Sequence, residues 1–326
     1  MHSLEKAPTP GVEPSTSQFS SKRTIRGFGF FVLALSLVFC KPLYSLLRLA
    51  FSSDLYSHIP LIPFISAYLV WTKRKPANLP GPNFSLTHKE PSTVVIFLTA
   101  FGSIFLLIYW ALLWKTGHLP VPDSLALTMS AYLCFVWGGF LLFFGKHQAK
   151  ALAFPLAFLA FMVPFPTFVH HAIEVFFQHT SAEAANVLIG LSGTPFLRDG
   201  LVFTLPGISL QVAEECSGIR SSLVLFVTSL VAGHMFLTSP WRKGVLAFFV
   251  IPLGIMRNGF RIFTIAMLCA HLDPSWIDSP IHHRGGPLFF VASLVPFFAF
   301  LVWLRKSEVK RQKIVDRGRI GSSVIQ

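Results

Sequence analysis

Charge is what this chain has least of. Only 13% of its 326 residues are Asp, Glu, Lys or Arg, and just 14 are acidic. A typical soluble domain carries about 25% charged residues, so a water-facing surface of ordinary polarity is excluded. Cysteine is scarce too. Cys40, Cys134, Cys216 and Cys269 show no paired spacing of the metal-binding type, and a disulfide framework belongs to much smaller secreted chains. No stretch repeats at a fixed period. Met1 to Ser21 is polar and rich in Pro and Ser, a disordered tail rather than a cleaved signal peptide.

Apolar residues take up the difference. They make 53% of the chain, with 35 Phe, and the mean hydropathy is +0.62. Long apolar runs at this density predict an all-α polytopic membrane protein. The net charge of +13 would also suit a nucleic-acid binder, but the basic residues cluster at the ends of apolar runs. Positive-inside topology accounts for them, so no nucleic-acid partner is expected; the lipid bilayer is. Cys40 and Cys134 fall inside apolar runs and read as small buried hydrophobes.

About eight transmembrane segments are expected, at 27–50, 59–71, 93–114, 124–145, 151–169, 219–237, 245–270 and 288–304. The second is short and carries Pro60 and Pro63. Charge counting supports it as a span. Lys22, Arg23 and Arg26 precede the first segment, and Lys73, Arg74 and Lys75 follow the second. Lys146 and Lys150, then Arg242 and Lys243, and finally Arg305, Lys306, Lys310, Arg311 and Lys313 close later pairs. All five clusters share one side only with eight crossings, which puts both termini in the cytoplasm. The expected layout is a cytoplasmic tail (1–26), a membrane domain (27–305) and a basic cytoplasmic tail (306–326). On the outer side, Ala172–Ile189 reads as a short interfacial helix. Leu201–Val212, which alternates around Pro206-Gly207, reads as a small hairpin-like segment.

The chemistry-bearing residues converge on that outer face. Gln211 to Ser222 holds Glu214, Glu215, Cys216, Ser217 and Arg220 just ahead of an apolar run, and ionisable groups at the edge of hydrocarbon point to function. Arg257 and Arg261, spaced i, i+4 on the seventh segment with Asn258 between them, share a helical face. His282, His283, Arg284, Gly285 and Gly286 fill the last outer loop. A thiol at a helix N-terminus beside cations is shifted toward thiolate. A histidine can exchange protons with it, and an arginine can hold an oxyanion. From the residues alone, two readings stand level: a Cys–His–Arg enzyme, and a transporter or polysaccharide-export component that uses Arg257 and Arg261. A passive scaffold leaves the ionisable cluster unexplained. His170, His171 and Glu174 lack further ligands at metal spacing, so no metal site is expected.

Four motifs, in order, resemble the exosortase/archaeosortase family of polytopic membrane cysteine transpeptidases, bacterial branch. They are Val212–Ser221 around Cys216, Ile251–Ile262 with its Asn258-x-x-Arg261 segment, His282-His283-Arg284-Gly285-Gly286, and the weaker Tyr56–Trp71. The resemblance implies Cys216 as nucleophile, Arg261 as transition-state arginine and His282 as general acid/base. Arg220, Glu214, Ser217, Asn258 and His283 would support them, and Arg257 receives no role. Glu215 stands where the pattern has a small residue. The resemblance further implies secreted protein substrates that end in a short motif (Pro-Glu-Pro in the commonest case), a transmembrane helix and a basic cluster. It also implies an envelope acceptor, no cofactor, and a place in a bacterial inner membrane with the active site on the periplasmic side.

Overall fold

The computed structural model describes residues 16–74, 93–212, 218–278 and 286–323. They are almost entirely helical. The chain divides into two compact units, Met1–Pro166 and Thr167–Gln326.

The first unit contains α1 (Thr16–Val38), α2 (Cys40–Ser52), α3 (Leu61–Arg74), α4 (Thr93–Thr116), α5 (Val121–Ala151) and the short α6 (Ala153–Phe158), which runs on as a 3-10 turn to Met162. α1 and α2 meet at 79°, so the expected first segment is two helices. Pro42 explains the break: its ring meets the carbonyl four residues back, at Val38, where α1 stops. α1 runs antiparallel to α5. A Cβ on Gly27 would meet Phe143, one on Gly139 would meet Phe31, and Ser36 and Tyr132 share a 2.9 Å hydrogen bond. Phe28 adds edge-on contacts to Phe140, Phe143 and Phe144. Arg23 and Arg26 therefore lie at the same end as Lys146 and Lys150, as charge counting required. Cys134 is buried as expected, whereas Cys40 is exposed on α2.

α1 begins at Thr16, within the stretch expected as a tail, and the last helix of the chain continues through the expected C-terminal tail to Ser323. Five helices are long and apolar enough to cross a membrane, or up to seven if two bent pairs each count as one span. Eight is thus an approximate count. Three segments account for the difference between eight and five, the bent first one among them. α3 has 14 residues, about 21 Å, short of a core of about 30 Å. The expected fifth segment, 151–169, is interrupted: Val163 is extended at φ −79° and ψ 117°, and Pro164 and Pro166 each bias the residue before them away from helix.

The second unit builds the site. It contains α7 (Thr167–Leu191), three strands, α8 (Ile219–Phe236), α9 (Pro240–His271) and α10 (Gly286–Ser323). The stretch Ala172–Ile189 is the middle of α7, which lies lengthwise on α9. Its buried face is Phe177, Gln178, Ser181, Ala182, Ala185 and Ile189. A Cβ on Gly254 would meet Phe177, and one on Gly259 would come 2.6 Å from the Ala184 Cβ. Thr194, just past α7, bonds His271 at 3.0 Å. Numbers rise together on the two helices, so they run in the same direction. Small residues on both sides are what allow the backbones to approach this closely.

α8 and α10 run the other way. Gly218 faces Arg257 and Asn258, while Gly233 faces Leu246 and Lys243. Phe249 stacks on Phe300 at 4.2 Å, and Phe260 meets Phe289. At the end remote from Gly218, the Glu308 carboxylate of α10 accepts hydrogen bonds from the backbone N–H groups of Thr238 and Ser239, at 3.1 and 2.7 Å. It also lies 3.3 Å from Arg242. Ser239, the residue ahead of α9, makes no side-chain cap of its own, so Glu308 supplies an acceptor for these otherwise unmet donors. The α8–α9 connection and the basic stretch of α10 thus share one end.

The strands are β1 (Leu197–Asp199), β2 (Val202–Leu205) and β3 (Ile208–Gln211), an antiparallel sheet in that order. The expected hairpin is β2–β3, turning at Pro206-Gly207 with Gly207 at φ 84°. Proline at the first turn position and a left-handed glycine at the second is the type II pattern. β1 was not anticipated; its three residues carry no alternation long enough to read. Phe203, Leu205, Leu210 and Val212 turn inward onto Ala182, Ala185 and Ile189 of α7 and Ile262 and Ala266 of α9.

The α7–α9 contact generates a contrast. Gly259→Ala is expected to destabilise the protein by about 1–3 kcal/mol through overpacking. Gly190→Ala, whose Cβ would meet nothing within 4 Å, should be neutral or stabilising by about 1 kcal/mol. Thermal unfolding of both variants in detergent checks this.

Candidate active site

The candidate residues come from three stretches. Ala213–Ser217 and 279–285 lie outside the described residues, and with them Glu214, Glu215, Cys216, Ser217, His282 and His283. Arg220, Asn258, Arg257 and Arg261 are described. So are both residues that flank the Cys216 segment, Val212 and Gly218.

Each flank is held by a buried polar side chain. Before the segment, the Val212 carbonyl accepts a 2.7 Å bond from Gln178 Nε2 of α7. After it, the Gly218 carbonyl accepts a 3.1 Å bond from Arg257 Nη2 of α9, which also donates to Ser222 Oγ at 3.2 Å. Gln178 is 7% exposed and Arg257 8%. A charged donor this far from water is costly unless its hydrogen bonds are met. Arg257 Nη1 remains buried without a hydrogen bond, so this guanidinium is only partly compensated.

Gly218 is suited to its place. It precedes α8 at φ 74°, a conformation that costs an L-residue about 1–2 kcal/mol. A Cβ there would stand 3.1 Å from Asn258 and 3.2 Å from Arg257 Nη2. Glycine therefore meets both a dihedral and a steric requirement. One turn on, Ser222 lies so close to α9 that a Cβ on Gly254 would approach its Oγ to 2.6 Å.

Asn258 is 2% exposed, directly against Gly218. Arg261 follows one turn later and is half-buried. With Leu210, Gln211, Val212, Asn258, Ile262 and Ile265 it lines a cavity of about 30 Å³ between β3 and α9, room for about one water. Arg220 is exposed on the first turn of α8. The structure thus brings Asn258, Arg261 and both ends of the Cys216 segment together, with Arg220 at the helix start beside them.

Sequence reading missed Gln178 and Ser222. Gln178 was part of a presumed interfacial helix, and no local pattern marks a glutamine as the partner of a carbonyl 34 residues away. Arg257 was seen, but its partners were not. The His170 imidazole lies 4.0 Å from Glu174 on α7. Among the described residues, no group of three His, Cys, Asp or Glu side chains is arranged to hold a metal ion.

The fold defines the class first: a polytopic helical membrane protein. Within it, residues 50–299 match the family model described as transmembrane exosortase. The chain belongs to that family, whose members are generally cysteine transpeptidases. Comparisons with curated proteins and with solved structures give no match.

Removing either flank's donor should be costly. Gln178→Leu and Arg257→Met are each expected to destabilise the protein by about 1–3 kcal/mol, because a buried carbonyl loses its donor. Denaturant titration in detergent measures it, and an unchanged midpoint for both would contradict the pinning of these flanks.

Proposed function

We propose that the protein is a membrane cysteine transpeptidase that cleaves a C-terminal sorting signal from secreted proteins. The signal comprises a Pro-Glu-Pro-type motif, a transmembrane helix and a basic cluster. The observation that carries this reading is a convergence at the two flanks of one short segment: the family match spans the segment, Gln178 and Arg257 hold Val212 and Gly218 on either side of it, and Arg261 lines a cavity with Val212.

In this mechanism the Cys216 thiolate attacks the scissile carbonyl. Negative charge develops on the carbonyl oxygen, and Arg261 stabilises it without risk of losing its own proton. His282 protonates the leaving amine as the C–N bond breaks, leaving an acyl-enzyme thioester. An acceptor nucleophile in the envelope gives up a proton to His282 and attacks the thioester, and the C–S bond breaks to restore the thiolate beside a protonated His282. Asn258 and Ser217 support the nucleophile segment. Arg220 and the helix N-terminus favour the thiolate, Glu214 pairs a cation or orients the histidine, and His283 neighbours the acid/base. The chemistry calls for no cofactor.

The cell inner membrane, cytoplasmic termini and a periplasmic active site complete the proposal. A substrate helix stopped by its basic cluster would present its outer end at the depth of the thiol. In the transporter alternative, Arg257 would serve a substrate pathway, but its Nη2 is committed to Gly218 and Ser222, which favours the enzyme.

The test is co-expression with a tagged secreted protein bearing such a signal. Cys216→Ala is expected to abolish processing at normal abundance, and Arg261→Ala to lower it by about 10²–10³-fold. Full processing by Cys216→Ala would sink the enzyme reading. Thiol labelling that reached Cys216 only from the cytoplasm would overturn the periplasmic placement.

A further inference from the structure

The ladder between β2 and β3 has a fixed phase. Val212 N–H donates to the Leu201 carbonyl at 3.0 Å, and the pairing continues in the same register through Phe203↔Leu210 to Leu205↔Ile208. In an antiparallel pair, residues that exchange hydrogen bonds alternate with residues that do not. Leu210 and Ile208 therefore direct their backbone groups toward β2. Ser209 and Gln211 direct theirs to the opposite edge, where no further strand of the sheet lies among the described residues. Both residues are exposed, and no hydrogen bond beyond the ladder is made by either among the described residues.

The two edges of the sheet differ in kind. β1 carries Arg198 and Asp199, and Arg198 is tied to Glu183 of α7 at 2.7 Å. Charged residues are the usual protection of a sheet edge. β3 reads Ile208-Ser209-Leu210-Gln211, without a charge or a proline. It borders α9, lines the cavity that Arg261 shares, and leads through Val212 toward Cys216. An edge left open beside the candidate reaction centre is a ready template for an incoming strand.

We propose that the free edge of β3 is the docking strand for the substrate: an extended segment of the secreted polypeptide adds to the sheet beside Arg261, recognised through its main chain at Ser209 and Gln211. The inference rests on the transpeptidase reading for what the occupant is. The reach is adequate. Gln211 stands five positions before Cys216 in the chain, at most about 18 Å, and a four-residue paired segment covers about 13 Å. One extended peptide can therefore pair with β3 and still reach the thiol. Main-chain recognition of this kind tolerates varied side chains and leaves specificity to pockets at alternate positions.

The experiment is cysteine crosslinking in membranes that contain the full chain. Ser209→Cys is introduced together with Cys216→Ala and Cys40→Ser, so that turnover is blocked and the exposed native thiol is removed. A tagged secreted protein with the sorting signal carries single cysteines walked along the residues that precede its transmembrane helix. Strand addition predicts disulfides at alternating substrate positions. Crosslinks spaced three or four apart, or none at any position, overturn the proposal. In an otherwise native chain, Gln211→Pro removes one edge N–H and is expected to lower processing by about ten-fold or more at equal abundance. Unchanged processing there would also overturn it. Crosslinking needs no turnover, so it decides the docking even if Cys216→Ala proves fully active and the enzyme reading fails. A Cys216→Ala variant that is inactive, with no crosslink at Ser209→Cys, leaves the enzyme reading standing and removes this inference alone.

Discussion

One buried guanidinium sets much of the second unit. Arg257 Nη2 donates at once to the Gly218 carbonyl and to Ser222 Oγ, which fixes where α8 begins relative to α9. The glycines around it follow from that bond. Gly218 must lie flat against Arg257 and Asn258, and Gly254 must admit Ser222. On the other flank of α9, Gly259 lets the backbone of α7 approach through Ala184 and Ala185. The same approach places Gln178 under the end of β3, where it holds Val212. Two helices thus control the two ends of a five-residue segment.

The arrangement was partly legible in the sequence. Apolar runs showed a helical membrane protein, the Pro206-Gly207 alternation showed the hairpin, and the i, i+4 spacing put Arg257 and Arg261 on one face. Hydropathy could not show what breaks a run. Pro42 divides the first segment at Phe39, and Pro164 with Pro166 ends the fifth, yet all lie within apolar composition. Nor could it distinguish a helix on the membrane surface from one packed in a bundle. Ala172–Ile189 has polar residues, but its buried stripe includes Ser181, Ala182 and Ala185, small side chains that hydropathy weighs lightly and close helix packing favours.

Positive-inside counting uses a different physical signal from the segment count. It required Arg242 and the basic stretch that begins at Arg305 to share a side. In the second unit, Glu308 bridges these two regions, accepting from Thr238 and Ser239 and lying against Arg242. In the first unit, the antiparallel run of α1 on α5 likewise joins Arg23 to Lys146. Each agreement is local to one unit and owes nothing to the exact number of crossings.

Helix lengths then set where Gly218 stands along the second unit. α8 has 18 residues, about 27 Å, close to the hydrocarbon thickness. α9 has 32 residues, about 48 Å, and starts level with the end of α8. Arg257 is 17 residues into α9, so it stands about 25 Å along, opposite Gly218. The rest of α9, from Asn258 to His271, outruns α8 by about 21 Å. β3 and the end of α7 pack on that overhang, through Ile262 and Ala266 and through the Thr194–His271 bond. The start of α8 is therefore not the tip of the helical unit but the floor of a step, walled by α9 and roofed on one side by the sheet. Arg261, one turn beyond Asn258, stands on the overhang above that floor, at the cavity that α9 shares with β3.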